Sequence, residues 1–119
     1  MIIHYIKLTD YKRIKLNNLK TIEIDFSEPL QLILGTNGSG KSSILSELTP
    51  YPPSSEFYSK GGGKVIHISH HNCSYILSTV FSKAAGEHSF IKNGIELNPG
   101  RTLTIQKSLV LSEFGIKKY

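Results

Sequence analysis

Gly35, Gly40, Lys41 and Ser42 stand at the spacing G-x-x-x-x-G-K-[ST], inside the stretch ILGTNGSGKSSIL from Ile33 to Leu45. These residue types at this spacing suit one task, the holding of a polyphosphate. Such an anion brings several negative charges that must be surrounded without steric clash. Gly35, Gly38 and Gly40 let the backbone take positive-φ conformations and turn its N–H groups inward. A helix opening near Gly40 adds the positive end of its dipole at the same point. Lys41 then reaches the β- and γ-phosphates, and the Ser42 hydroxyl takes a place on Mg²⁺. The competing explanation is a glycine-rich loop that matches by accident. The neighbouring sequence argues against it, with an apolar run before and an amphipathic run after.

Those neighbours are the elements that must position the loop. Leu30 to Leu34, LQLIL, is short, mostly apolar and followed at once by glycine, as expected of a buried strand. From Gly40 to Leu48 the residues Ile44, Leu45 and Leu48 share one helical face, and Pro50 stops the helix. Upstream, Ile2 to Leu8 reads as a strand, followed by a polar connection ending in an Asn17-Asn18 turn. TIEIDF alternates with a period of two, which predicts a strand with one wet face.

Downstream, residues 50–64 concentrate proline, serine and glycine and are expected to form a flexible loop. KVIHISHHN, SYILSTVFS and HSFIKNGIEL follow as strands, with turns at Asn72-Cys73, near Ala85-Gly86 and at Asn93-Gly94. Asn98-Pro99 opens a last helix, whose apolar stripe is Leu103, Ile105, Leu109, Val110 and Phe114 and whose C-cap is Gly115. The expected fold class is α/β: a P-loop half-domain with a mixed sheet, antiparallel strands within it, and two helices.

The 119 residues suit one small domain or part of a larger one, and an apolar share of 39% is ordinary for a globular fold. A formal charge of +5 permits an anionic partner, but many small proteins are equally basic. Cys73 is the only cysteine, which excludes an internal disulfide framework. The first residues carry charge early and no long apolar run, and no segment approaches membrane-spanning length. A reducing compartment, the cytoplasm, is the expected location, with no membrane partner.

The sequence GTNGSGKSSIL resembles the G-x-N-G-x-G-K-S-[ST] form of the ABC-like ATPases of chromosome maintenance and repair, the SMC, RecF, RecN and SbcC kinds. The order IKLTDYKRIK, TIEIDF, LQLILGTNGSGKSS is similar to the N-terminal layout of that family. LSELTPYP, GGGKVIHISHHNCSYILSTVF and HSFIKNGIELNPG look like its phage branch, the ATPase subunits of recombination endonucleases. That likeness implies a host cytoplasm. It also implies an N-terminal lobe of a head whose C-terminal lobe and coiled coil are not in this chain, as in an expressed fragment or a short gene product.

By the resemblance, the chain binds ATP and Mg²⁺ and works with the C-terminal lobe, a second ATPase head, a nuclease subunit and double-stranded DNA. Gly35, Thr36, Asn37, Gly38, Ser39, Gly40, Lys41, Ser42 and Ser43 are implied to hold the phosphates, with Lys41 in the catalytic role and Ser42 on the metal. Lys12 and Arg13 occupy the place of the family's FRS segment, implying contact with nucleotide phosphate or base. Otherwise they are a solvated charge pair.

The departures concern turnover. No acidic pair follows an apolar strand, and SLVLSE ends in Glu113, which is expected on a helix. SKGGGK lacks the Leu-Ser preface of a signature loop. Gln106 lies too early to be the family's metal-touching glutamine. Binding with little or no turnover is therefore expected of this chain alone. His67, His70 and His71 do not converge as a metal site on a strand. Tyr51, Phe57, Tyr58, Lys60 and Lys64 form either a basic-aromatic patch for DNA or a solvated loop. Two other function classes stay open: a self-contained small phosphotransferase, and a non-catalytic nucleotide- or DNA-binding module.

Overall fold

Every second side chain of KVIHI and SYILSTVF turns inward, and this alternation builds the core: Ile66 and Ile68 are 1% exposed, Tyr75 2% and Leu77 3%. The computed structural model describes residues 1–12, 21–26 and 46–116. Within them, one sheet contains β1 (Ile2–Tyr11), β2 (Thr21–Asp25), β3 (Tyr58–His70), β4 (Cys73–Val80), β5 (Glu87–Lys92) and β6 (Ile95–Glu96). A 3-10 turn at Ser55–Phe57 precedes β3, and helix α1 (Leu103–Phe114) follows β6.

The strand order is β2-β1-β3-β4-β5-β6, and every pairing among the described residues is antiparallel. Short connections dictate this. His71 and Asn72, at φ 50 and 63, join β3 to β4, and Asn93 and Gly94, at φ 49 and 83, join β5 to β6. Two consecutive left-handed residues make a primed turn, whose twist matches that of a tight hairpin. The expected mixed sheet with two helices is corrected to an antiparallel sheet with one helix described over its full span. The run Leu30–Leu34 lies outside the described residues. So does most of the helix expected from Gly40, of which Ser46 is helical.

The flexible loop expected over residues 50–64 is also corrected: from Tyr58 onward these residues belong to β3. The glycines there answer a packing demand rather than mobility. A Cβ on Gly62 would lie 2.5 Å from the Thr9 carbonyl oxygen, and one on Gly63 only 1.9 Å from that of Thr79. Glycine in a strand interior marks this kind of close backbone approach.

Helix α1 packs against β5, with Phe114 against the rings of Tyr75 and Phe90. Thr102 caps its start, accepting from the Ile105 N–H at 3.4 Å, and Gly115 ends it in the left-handed conformation at φ 70. Val110 is fully buried, as is Phe90 of β5, whose burial stabilises by roughly 1.5–3 kcal/mol. The expected apolar stripe needs one correction, because Ile105 is 46% exposed and Gln106 takes the inward position at 1%. Gln106 Nε2 donates to the Ser89 carbonyl at 2.8 Å, and its Oε1 accepts from Asn98 Nδ2 at 2.9 Å. No described helix is long and apolar enough to cross a membrane.

Candidate nucleotide site and its supporting cluster

Of the residues expected to hold nucleotide, Lys12 is described; Arg13 and residues 35–43 lie outside the described residues. Lys12 is exposed at the end of β1, and its backbone N–H donates to the Phe57 carbonyl at 2.7 Å. The two described flanks of the G-x-x-x-x-G-K-[ST] sequence are both fixed to the sheet. Before it, Ile24 of β2 is 9% exposed, and the Phe26 N–H donates to the His4 carbonyl at 2.9 Å. After it, Leu48 and Tyr51 pack against the core.

The strongest electrostatic feature lies on that downstream flank. Glu47 is 7% exposed, Lys64 3% and Tyr58 3%. Lys64 Nζ sits 3.7 Å from Glu47 Oε2 and donates to the carbonyls of Thr49 at 2.9 Å and Tyr51 at 3.3 Å. Tyr58 Oη donates to Glu47 Oε1 at 2.7 Å. Burial pulls the Lys64 ammonium down to about 8, against the opposing pull of the Glu47 carboxylate. Burial, reinforced by the same carboxylate, pushes the Tyr58 hydroxyl far above its ordinary range. The Tyr58 ring also stacks between Tyr11 and Phe81, with centroids at 5.0 and 5.4 Å.

This cluster corrects both alternatives for Tyr51, Phe57, Tyr58, Lys60 and Lys64, the basic-aromatic patch and the solvated loop, since Tyr58 and Lys64 are interior. Other polar residues singled out in the sequence have structural partners. Glu113 lies on α1, as expected, where Lys92 Nζ at 2.7 Å and Tyr75 Oη at 2.8 Å hold its carboxyl below the usual range. The His67 ring packs on Tyr5 at 4.9 Å, while His70 stacks with His71 and Phe114. Among the described residues no group of three or more His, Cys, Asp or Glu could hold a metal ion.

Sequence reading passed over Glu47 and took Lys64 only for a basic-aromatic patch or a solvated loop, although a signal of their burial was present. Lys64 continues the Ile66, Ile68 alternation and so belongs to the apolar face. Glu47 sits with Ile44 and Leu48 at the i+3, i+4 spacing of one helical face.

Residues 13–50 match the family model described as an AAA domain. No curated protein matches the chain. The matched segment contains the whole G-x-x-x-x-G-K-[ST] sequence. It supports a P-loop ATPase-like, nucleotide-binding character, with the nucleotide and Mg²⁺ dependence general to such ATPases.

Proposed function

We propose that this chain is the ATP-binding lobe of a DNA recombination or repair ATPase that controls DNA access for a partner nuclease. The observation that carries the reading is the coincidence of Gly35, Gly40, Lys41 and Ser42 with the AAA-domain match over residues 13–50. The donor set fits Mg²⁺-bound polyphosphate: glycine amides that can converge, one ammonium and one hydroxyl. In this reading residues 35–43 hold the phosphates, Lys41 neutralises the β- and γ-phosphates, Ser42 accompanies Mg²⁺, and Lys12 and Arg13 approach the nucleotide. A Mg²⁺ ion held beside Ser42 would supply charge neutralisation for transfer of the terminal phosphoryl group.

The sequence holds no Asp-Glu pair after an apolar strand. Activation of the attacking water is therefore assigned to a companion C-terminal lobe and a second head. The DNA-repair setting, the nuclease subunit and duplex DNA come from the resemblance of GTNGSGKSSIL and the flanking segments to SbcC-type ATPases.

The test is Mg-ATP affinity and turnover for the chain and for Lys41→Ala, with and without duplex DNA. The chain is expected to bind Mg-ATP with little turnover, and Lys41→Ala to lose at least tenfold in affinity, about 1.4 kcal/mol. Supplying the companion lobe should restore DNA-stimulated hydrolysis. Rapid phosphoryl transfer to a small acceptor by this chain alone would reject the proposal.

A further inference from the structure

Lys64 is a deeply buried cation whose acceptors all come from one short segment: the Glu47 carboxylate and the carbonyls of Thr49 and Tyr51. Its neighbours on the same face of β3, Ile66 and Ile68, are apolar. Burial alone would be met equally well by an apolar side chain at this position. A buried ion pair is also a weak device for stability, because desolvating both charges offsets their attraction. What the pair supplies is geometry. Only one placement of residues 47–51 against β3 brings the carboxylate and both carbonyls to the ammonium while Tyr58 reaches the other carboxylate oxygen. The frame is firm, since around Lys64 strand β3 is paired with Leu8 of β1 on one side and Thr79 of β4 on the other.

We infer that Lys64, Glu47 and Tyr58 form a positioning cluster for phosphate binding, fixing the chain immediately downstream of Lys41, Ser42 and Ser43 to the central strand of the sheet. The inference rests on the nucleotide-binding reading above. A flank already held in place leaves less freedom to be lost when the ligand binds, and preorganisation of this kind raises affinity. Lys64 acts through the backbone of residues 47–51 and touches no substrate.

The test uses the full chain carrying Lys64→Met with Glu47→Leu, which removes both charges together and leaves neither buried without its partner. The double variant should keep the parent's circular dichroism and lose at least threefold in Mg-ATP affinity, with about tenfold expected. A smaller loss overturns the inference. Phe90→Leu, a core change remote from Glu47, should keep the parent's affinity; an equal loss there would reduce the effect to general destabilisation and overturn it too.

Should the double variant fail to fold, amide exchange in the parent decides. The Glu47, Leu48, Thr49 and Tyr51 amides should be protected at least about tenfold relative to an unstructured peptide before any nucleotide is added, and protection that appears only with Mg-ATP sinks the inference. Lys41→Ala separates the two levels. Lost affinity there with none lost in the double variant fails the cluster alone, whereas a parent that binds no Mg-ATP fails the nucleotide reading with it.

Discussion

A lysine at 3% exposure must answer for its charge, and Lys64 does so in the pH dependence of folding. Burial lowers its ammonium to about 8, while in the unfolded chain it titrates at the ordinary lysine value of 10.5. Between those values the folded chain binds fewer protons than the unfolded one, so stability should rise with pH across that window. By pH 10 the gain is on the order of 2 kcal/mol. Tyr58 works in the opposite sense. Its hydroxyl, raised by burial, stays protonated in the fold while the unfolded side chain ionises near 10, so stability should fall beyond that point. Tyr5, Tyr75 and Lys92, all raised, share that fall. Urea midpoints from pH 7.5 to 11 should therefore climb and then drop. Lys64→Met should flatten the climb, and Tyr58→Phe should soften the drop; a parent curve that declines steadily from pH 8 would refute the assignment. At this scale the AAA-type character of the segment was legible, because the chemistry of G-x-x-x-x-G-K-[ST] is local in sequence. The Glu47–Lys64 pairing was not, because it needs two elements brought together by the tertiary fold.

Strand β3 shows how composition misleads at the scale of an element. SKGGGK carries the glycine and serine content of a loop, yet Gly62 and Gly63 are buried, and Gly63 is in register with Thr9 of β1 and Val80 of β4. The same absence of a side chain serves a flexible turn and a close backbone crossing, and only the neighbouring strands decide between them. Gly63→Ala would press a Cβ to within 1.9 Å of the Thr79 carbonyl oxygen, an atom of the β4 backbone that cannot step aside. The cost should reach about 3 kcal/mol, the upper end of the usual range for overpacking. Gly94→Ala makes the contrast: its Cβ would meet nothing within 4 Å, so only the left-handed φ of 83 is penalised, by roughly 1–2 kcal/mol. Denaturation of both variants tests this, and equal losses would mean that the β3–β4 crossing is looser than described. The other strands were legible because TIEID and CSYILSTV alternate in the sequence as they do in the sheet. Helix α1 was legible in its Gly115 C-cap but not in its start, which Thr102 caps instead of Asn98-Pro99, nor in its face, because Ile105 and Leu111 point outward while Gln106 is held inward by Ser89 and Asn98.

Across the whole molecule, the order β2-β1-β3 places the two flanks of the G-x-x-x-x-G-K-[ST] sequence on one sheet. No local pattern encodes that order, since β1 pairs with a strand that follows it only after the entire AAA-matched segment. The arrangement has a thermodynamic consequence under the proposed function. Residues that bind Mg-ATP between β2 and Glu47 are tied at both ends to the core, so unfolding the sheet also removes the site. A ligand that binds only the folded chain stabilises it by about 2.7 kcal/mol at a hundredfold excess over Kd. For a chain of 119 residues that corresponds to a rise in melting temperature of roughly 10 °C. Lys41→Ala should melt where the parent does without ligand, because the change adds no strain to the sheet, and should show almost none of the rise with Mg-ATP. Equal shifts in the two proteins would place the nucleotide elsewhere. A parent whose melting is indifferent to Mg-ATP at millimolar concentration would mean that the segment between β2 and Glu47 does not bind it with useful affinity.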